Sequence, residues 1–510
     1  MLSGWALAPA VAQEEAVEEV VVTGSFIRQS PEDAPVPIEV VNSEDLFNVG
    51  NPSVVELVKT LGVSSGVDGE TNQFQSNGLE GTANVNLRGL GAGRNLVLLN
   101  GRRNVWSPYP ISEQQQLFVD INMIPAVALD RVELLKDGAA ATYGSDAISG
   151  VVNFITRWDF EGLEMAGSFK DISGSDGDAD FGLMWGGSSG ATNIVTSFGY
   201  VRRTELPAKD RDWAIQPYNY NGNTRGYTGI GNPGSFLALP GTTGAADLIA
   251  AGAALQTSVT GSSTLSADNY LTISPGVVWG SISDPRCDDF VGSHASSVNL
   301  CRYSYVYFDN LIEEETRQNF FTELTHEFSD SAVLSAELLY ARAEVPNWKS
   351  SPSYPPQTLF DLRPDTGRFV PSYHPGLVAM AGIHAEFAPY ANPACAVAGS
   401  SDTTCDALLF YGRPFGASGP AEEGTREHDT TRIALGLEGT LDVGLDYNLS
   451  ALWTEANGET STNDTIAENW ALALCGFGGS DCAGNALGAN GCQFYNPFGR
   501  MIKLGVCHSF

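Results

Sequence analysis

The sequence predicts a compact α/β domain followed by an antiparallel β-structure whose strands alternate like those of a membrane-spanning barrel. Three observations predict it. Residues 84–157 hold short apolar runs, Leu96–Leu99, Val132–Leu135 and Val151–Ile155, broken by glycine at nearly every change of direction. From residue 162 onward, seven stretches alternate apolar and polar side chains with period two. The connections between those stretches are short and long in turn.

The totals bound the answer. A chain of 510 residues has room for two domains, or for one domain and a large barrel. Its net charge of −33 argues against nucleic acid as a partner, because phosphate binding needs a basic surface. The acidity reads as a solvated, self-repelling surface or as one that collects cations. No apolar run reaches the ~18–20 residues of a transmembrane helix. Transmembrane strands need only ~9–11 alternating residues, so a barrel is untouched by that absence.

Residues 1–12, MLSGWALAPAVA, read as a partial signal peptide: an apolar stretch ends in the small-x-small site Ala10-Val11-Ala12, and the basic start is missing. Residues 13–35 form a flexible tail, acidic at first and without periodicity. Within it the triplet Val20-Val21-Val22, ending at Gly24, is a good extended segment. It suits either addition to another protein's sheet edge or service as the first strand of the next domain. In residues 36–157, Ile38–Val41 alternates as a strand. Asn42 or Ser43 can cap a short helix over Glu44–Leu46, and Ser53–Leu61 is a second helix that buries Val54, Leu57, Val58 and Leu61. The glycines at 89, 91 and 93 make a poor dinucleotide fingerprint, since the third is misplaced and no βαβ unit surrounds them.

In this order the pieces EEVVVTG, PVPIEVVNSEDL, ELVKTLGV, VNLRGLGAGRNLVLLNGRR and IPAVALDRVELLKDGAAATYGSDAISGVVNFITR resemble the plug domain of TonB-dependent outer-membrane receptors. The resemblance covers residues 18–157. It implies that Glu19, Val20, Val21, Val22, Thr23 and Gly24 are the TonB box, offered as a strand to TonB across the periplasm. It also implies that Arg88 and Lys136 lock the plug to barrel carboxylates. Lysine stands at 136, before Asp137-Gly138, where the family often has arginine before Gly-Pro.

The alternating stretches are then barrel strands: 162–170, 179–187, 193–202, 318–328, 332–342, 431–441 and 445–455. One face carries Leu163, Met165, Phe169, Trp185, Phe198, Phe320, Leu338, Ile433 and Trp453; the other carries Glu164, Glu323, Glu337 and Arg432. A soluble sandwich alternates in the same way. With the first strand rising from a periplasmic plug, the turns at 187–192, 329–331 and 442–444 fall on the periplasmic side and are short. The outer connections, 205–316, 345–430 and 456 onward, are long, as an outer-membrane barrel requires and a sandwich does not.

All eight cysteines fall in the outer segments, which suits loop-stapling disulfides in an oxidising compartment. Cys287, Cys301, Cys395 and Cys405 are the disulfide candidates; Cys475, Cys482, Cys492 and Cys507 allow three connectivities. Without CxxC spacing or paired histidines no metal set is read, the six histidines being scattered in loops, and no cofactor is implied. Plugged transporters use 22 strands, and seven are counted here. An open sheet cannot persist in lipid. Residues 158–510 are therefore read as an incomplete barrel and the chain as an N-terminal fragment. The faint terminal-strand likeness of Lys503–Phe510 is a coincidence, because His508 stands where an apolar residue is preferred.

The resemblance implies active uptake of a scarce solute across the bacterial outer membrane, a siderophore, an oligosaccharide or similar. It makes TonB with ExbB and ExbD, outer-membrane lipid and lipopolysaccharide, and a small-molecule or oligomer ligand the partners. It also implies a plug held by polar contacts to a wet wall rather than by one apolar core. Candidate ligand residues on the apical loops are Asn72, Gln73, Trp106 and Tyr109, whose aromatics suit stacking on a sugar or catechol. The alternatives are a non-transporting fragment, a passive pore and a surface ligand-binding protein. An enzyme would need a nucleophile–base or carboxylate constellation, and none stands at an interpretable spacing.

Overall fold

A computed structural model of the chain describes residues 38–42, 53–65, 69–70, 79–111, 116–136, 140–216, 227–228, 234–238, 280–289, 292–295, 300–329, 331–350, 369–395, 406–413, 422–462, 466–483 and 488–498. Residues 1–24, the short helix expected over 44–46, Asn72, Gln73, Cys405 and Lys503–Phe510 lie outside the described residues.

The N-terminal domain is a five-stranded mixed sheet. Its strands are β1 (Ile38–Asn42), β2 (Asn95–Leu99), β3 (Arg102–Arg103), β4 (Leu129–Leu135) and β5 (Gly150–Thr156). Their order is β1-β4-β5-β2-β3, with β2 and β5 parallel and the other pairs antiparallel. Helix α1 (Val54–Thr60) starts at Ser53, whose side chain accepts from Glu56 N–H while Glu56 reaches back to Ser53 N–H. That capping box fixes the helix start, and Val54, Val55, Leu57 and Val58 are buried. Arg131 and Glu133 lie within β4, where they pair at 3.0 Å. Strands β2 and β3 are joined by Asn100-Gly101, with φ of 51° and 71°. This two-residue turn has positive φ at both positions, which asparagine and glycine tolerate, and it aims Arg102 out of the sheet.

Seven long strands follow: β6 (Gly162–Lys170), β7 (Asp178–Ser189), β8 (Thr192–Arg203), β9 (Glu315–Ser329), β10 (Ala332–Ser350), β11 (Glu422–Thr440) and β12 (Asp446–Thr462). Each pairs antiparallel with the next in one sheet, and β6 and β12 are its edges. Among the described residues the sheet does not close. All seven expected strands are present, but β10, β11 and β12 run well beyond their expected outer ends. The physical reason is visible above Tyr340. There the outward face becomes charged, Arg342 bonding Glu427 at 2.6 Å, so the hydropathy alternation ends while strand pairing continues.

Register separates the two faces. Leu163, Trp185, Thr196, Thr322, Leu338, Ile433 and Trp453 form one row, and the large apolar members of it are exposed. The next row inward, Glu164, Met184, Ser197, Phe321, Leu339, Arg432 and Thr454, faces the N-terminal domain. That face is less polar than expected. Phe321, Leu339 and Ala341 belong to the same buried cluster as Val58, Ile121, Ile124 and Val132, and Met184 and Val195 pack with Val127. The expectation of a plug held by polar contacts alone is thus corrected: the domain shares an apolar core with the wall.

The outer segments form a second assembly. Strands from two of them build one four-stranded sheet in the order 280–283, 235–238, 406–411, 369–371. Helix α2 (Pro375–Ala381) and helix α3 (Ala467–Leu474) pack on it. Phe498, from the third segment, stacks on Phe236 at 4.4 Å. Cys287 and Cys301 are bonded, as are Cys482 and Cys492, and Cys395 is in a disulfide.

Candidate functional site

The site is the interface between the N-terminal domain and the inner face of the sheet. Its lower tier centres on Glu337 of β10. Arg102, presented by the Asn100-Gly101 turn, and Arg432 of β11 each bond one oxygen of this fully buried carboxylate. Arg102 also donates to Ser335 Oγ at 3.1 Å, and Arg432 to the Leu99 carbonyl at 3.2 Å. Beside them Thr156 Oγ1 donates to Glu323 at 2.8 Å. Two guanidinium groups thus share one buried carboxylate, and a second carboxylate, Glu323, is held beside them by a hydroxyl.

The upper tier joins the domain's apical loops to the outer halves of the strands. Glu80, buried, pairs with Arg426 Nε at 2.5 Å and accepts from Trp348 Nε1 at 3.2 Å, while Arg426 lies over the Trp348 ring. Asp120 caps the short helix Ile121–Met123. One of its oxygens accepts from Ala83 N–H (2.8 Å) and Asn122 N–H (3.0 Å); the other lies 2.6 Å from His428 Nε2. Burial raises the Asp120 carboxyl above its ordinary range, although His428 and the two amide bonds pull the other way. Asn122 bonds Gly81 O and receives Arg317. None of Glu80, Asp120, Arg426 and His428 stands out in the sequence. His428 in particular is a strand residue, not a loop residue, because β11 begins earlier than its alternation suggests.

The residues singled out in the sequence are placed differently. Arg88, with φ of 58°, donates to the Lys136 carbonyl, and the Lys136 ammonium pairs with Glu39 at 2.6 Å. Both contacts stay inside the N-terminal domain, and among the described residues neither side chain meets a wall carboxylate. Tyr109 is held by the wall. Its hydroxyl lies 2.8 Å and 2.9 Å from the carbonyl oxygens of Glu427 and Glu459, so it ties its loop to β11 and β12. Burial raises the Tyr109 phenol, which stays a donor. Trp106 is exposed. Among the described residues no group of three or more His, Cys, Asp or Glu has the arrangement of a metal site.

An α/β domain is thus seated by buried ion pairs on one face of an open amphipathic sheet. Residues 30–151 match the TonB-dependent Receptor Plug Domain family. The vitamin B12 transporter BtuB of Photobacterium profundum is 32% identical over 147 residues, 29% of this chain and 22% of that protein. The iron-regulated outer membrane virulence protein of Vibrio cholerae is 32% identical over 149 residues, 28% of this chain and 20% of its own. The matched segment thus spans about a fifth of these curated relatives. The ferric enterobactin receptor PfeA of Pseudomonas aeruginosa, in complex with BCV-L6, aligns at 12% identity over 91% of this chain and 45% of its own, with a TM-score of 0.36. Residues 30–151 thus match a TonB-dependent receptor plug, and over that segment the chain is similar to bacterial outer-membrane transport proteins.

Proposed function

We propose that the chain is the plug and first barrel wall of a transporter that takes up a scarce small molecule across the outer membrane, driven through TonB. The observation that carries this reading is the plug seated on the wall by two tiers of buried polar contacts, around Glu337 and around Glu80 and Asp120. Such a stopper closes the passage at rest and needs work to move. Relatives of the plug named as a vitamin B12 transporter and an iron-regulated outer membrane virulence protein support a scarce solute, a siderophore, an oligosaccharide or similar, as the cargo. In this reading residues 1–12 direct export. Residues 13–35 carry the box Glu19–Gly24, which adds as a strand to TonB, itself powered by ExbB and ExbD. The wall contacts lipid and lipopolysaccharide, and the protein is a transporter rather than an enzyme.

The test is deletion of residues 18–24 in a full-length form of the protein. Uptake of the growth-limiting solute is expected to stop while surface binding of it continues. Uptake that survived the deletion would sink energy coupling through the box.

A further inference from the structure

Three glycines on the inner wall lie opposite three different plug segments. Gly182 of β7, Gly436 of β11 and Gly458 of β12 share the inward rows with Met184, Arg432 and Thr454. A Cβ at Gly182 would stand 3.1 Å from Val127 Cβ and Cγ2. One at Gly436 would collide with the Arg102 guanidinium and with Ser335 Oγ of the adjacent β10, which itself accepts from Arg102, and one at Gly458 would stand 2.7 Å from Tyr109 Cζ and 2.8 Å from Pro108 Cγ. The relation also runs the other way: plug Gly81, with φ of 86°, receives Val345 Cγ2 at 3.1 Å from its Cβ position. Glycine weakens a strand, so its presence mid-strand marks a close approach. The occupants come from the Ala126–Ala128 turn, from β3 and from the apical loop, at separate points along the strands.

We propose that Gly182, Gly436 and Gly458 are sockets that fix the height and rotation of the plug in the lumen, and so are positioning residues for opening. A single methyl in a socket lifts the plug off its seat. The Glu337 cluster lies beside Gly436 and loses its register with it. The inference rests on the plug acting as a movable stopper but not on TonB driving it.

The experiment measures entry of a large glycopeptide antibiotic, vancomycin, into cells that lack TonB and carry full-length protein with each variant. Gly182→Ala, Gly436→Ala and Gly458→Ala are each expected to raise the unseated population roughly tenfold or more, as overpacking does, and to sensitise the cells accordingly. Gly187→Ala is the control, since it lies on the outward row and its Cβ would meet only the Trp185 ring at 3.5 Å. The decisive variant is Gly182→Ala combined with Val127→Ala. Trimming the occupant is expected to restore the seal, or restore assembly if Gly182→Ala alone fails to assemble. Sealed single variants, or a double variant no better than Gly182→Ala, overturn the sockets. Energy-coupled uptake can fail its own test with the leak unchanged, because the cells contain no TonB.

Discussion

Arg432 has no exposed surface, and it shares the Glu337 carboxylate with a plug arginine. Buried ion sets of this kind contribute little net stability over an apolar replacement, but breaking one is costly because a charge is left without a partner. Glu337→Gln leaves Arg102 and Arg432 facing a neutral amide. It is expected to weaken plug seating by about 3–5 kcal/mol, read as a lower denaturant concentration at which a plug cysteine becomes open to labelling. Arg103→Ala is the contrast. Its pair with Asp146 is 49% and 37% exposed, so the same assay should register about 0–1 kcal/mol. The charges of the lower tier were legible as inward-facing members of alternating strands. Their partners were not, because Arg102 meets Glu337 across 235 residues of sequence.

At the scale of elements, the outer assembly is where pH should act. Asp309 is buried and pushed from 3.8 up to about 7, with Arg413 partly opposing. The folded assembly therefore keeps this proton to about pH 7 while the unfolded chain releases it earlier, so stability from Asp309 falls as pH rises from about 4 to 7. His374 caps α2 by accepting from Gly376 N–H at 3.0 Å, and its Nε2 donates to the Tyr495 carbonyl at 2.9 Å. Burial lowers it from 6.5 to about 4, so its contribution is lost as pH falls through that interval. The two slopes oppose. Asp309→Asn is expected to remove the first and leave an assembly that weakens on acidification. Limited proteolysis of the outer segments from pH 4 to 8 would show it; an unchanged profile would refute the assignment.

The whole molecule is arranged around a lipid face that the strands present outward. Trp185 and Trp453 share one outward row and are 49% and 51% exposed, whereas Trp348 points inward and is 9% exposed. In full-length protein reconstituted with single tryptophans, lipids brominated on the acyl chains are expected to quench Trp185 and Trp453 strongly and Trp348 little. The reverse order would turn the sheet inside out. The assembly of three outer segments around Phe236, Phe410, Trp470 and Phe498 belongs to this scale too. Each segment taken alone reads as a long loop, since none carries enough apolar residues in period to announce a core.

The sequence by itself determined the class of fold, the seven strands, which side of each turns away from the N-terminal domain, the short turns between them and the plug's order of pieces. Those are local or periodic properties, written into consecutive residues by the strand period of two and by glycine at the turns. Only the tertiary structure decided which plug residues meet the wall. It set Arg102, Glu80 and Asp120 against wall side chains, tied Tyr109 to β11 and β12, and put apolar Phe321 and Leu339 on the inner face. Such contacts join side chains hundreds of residues apart. Their partners are chosen by how the plug sits against the strands, and no periodicity along the chain records that.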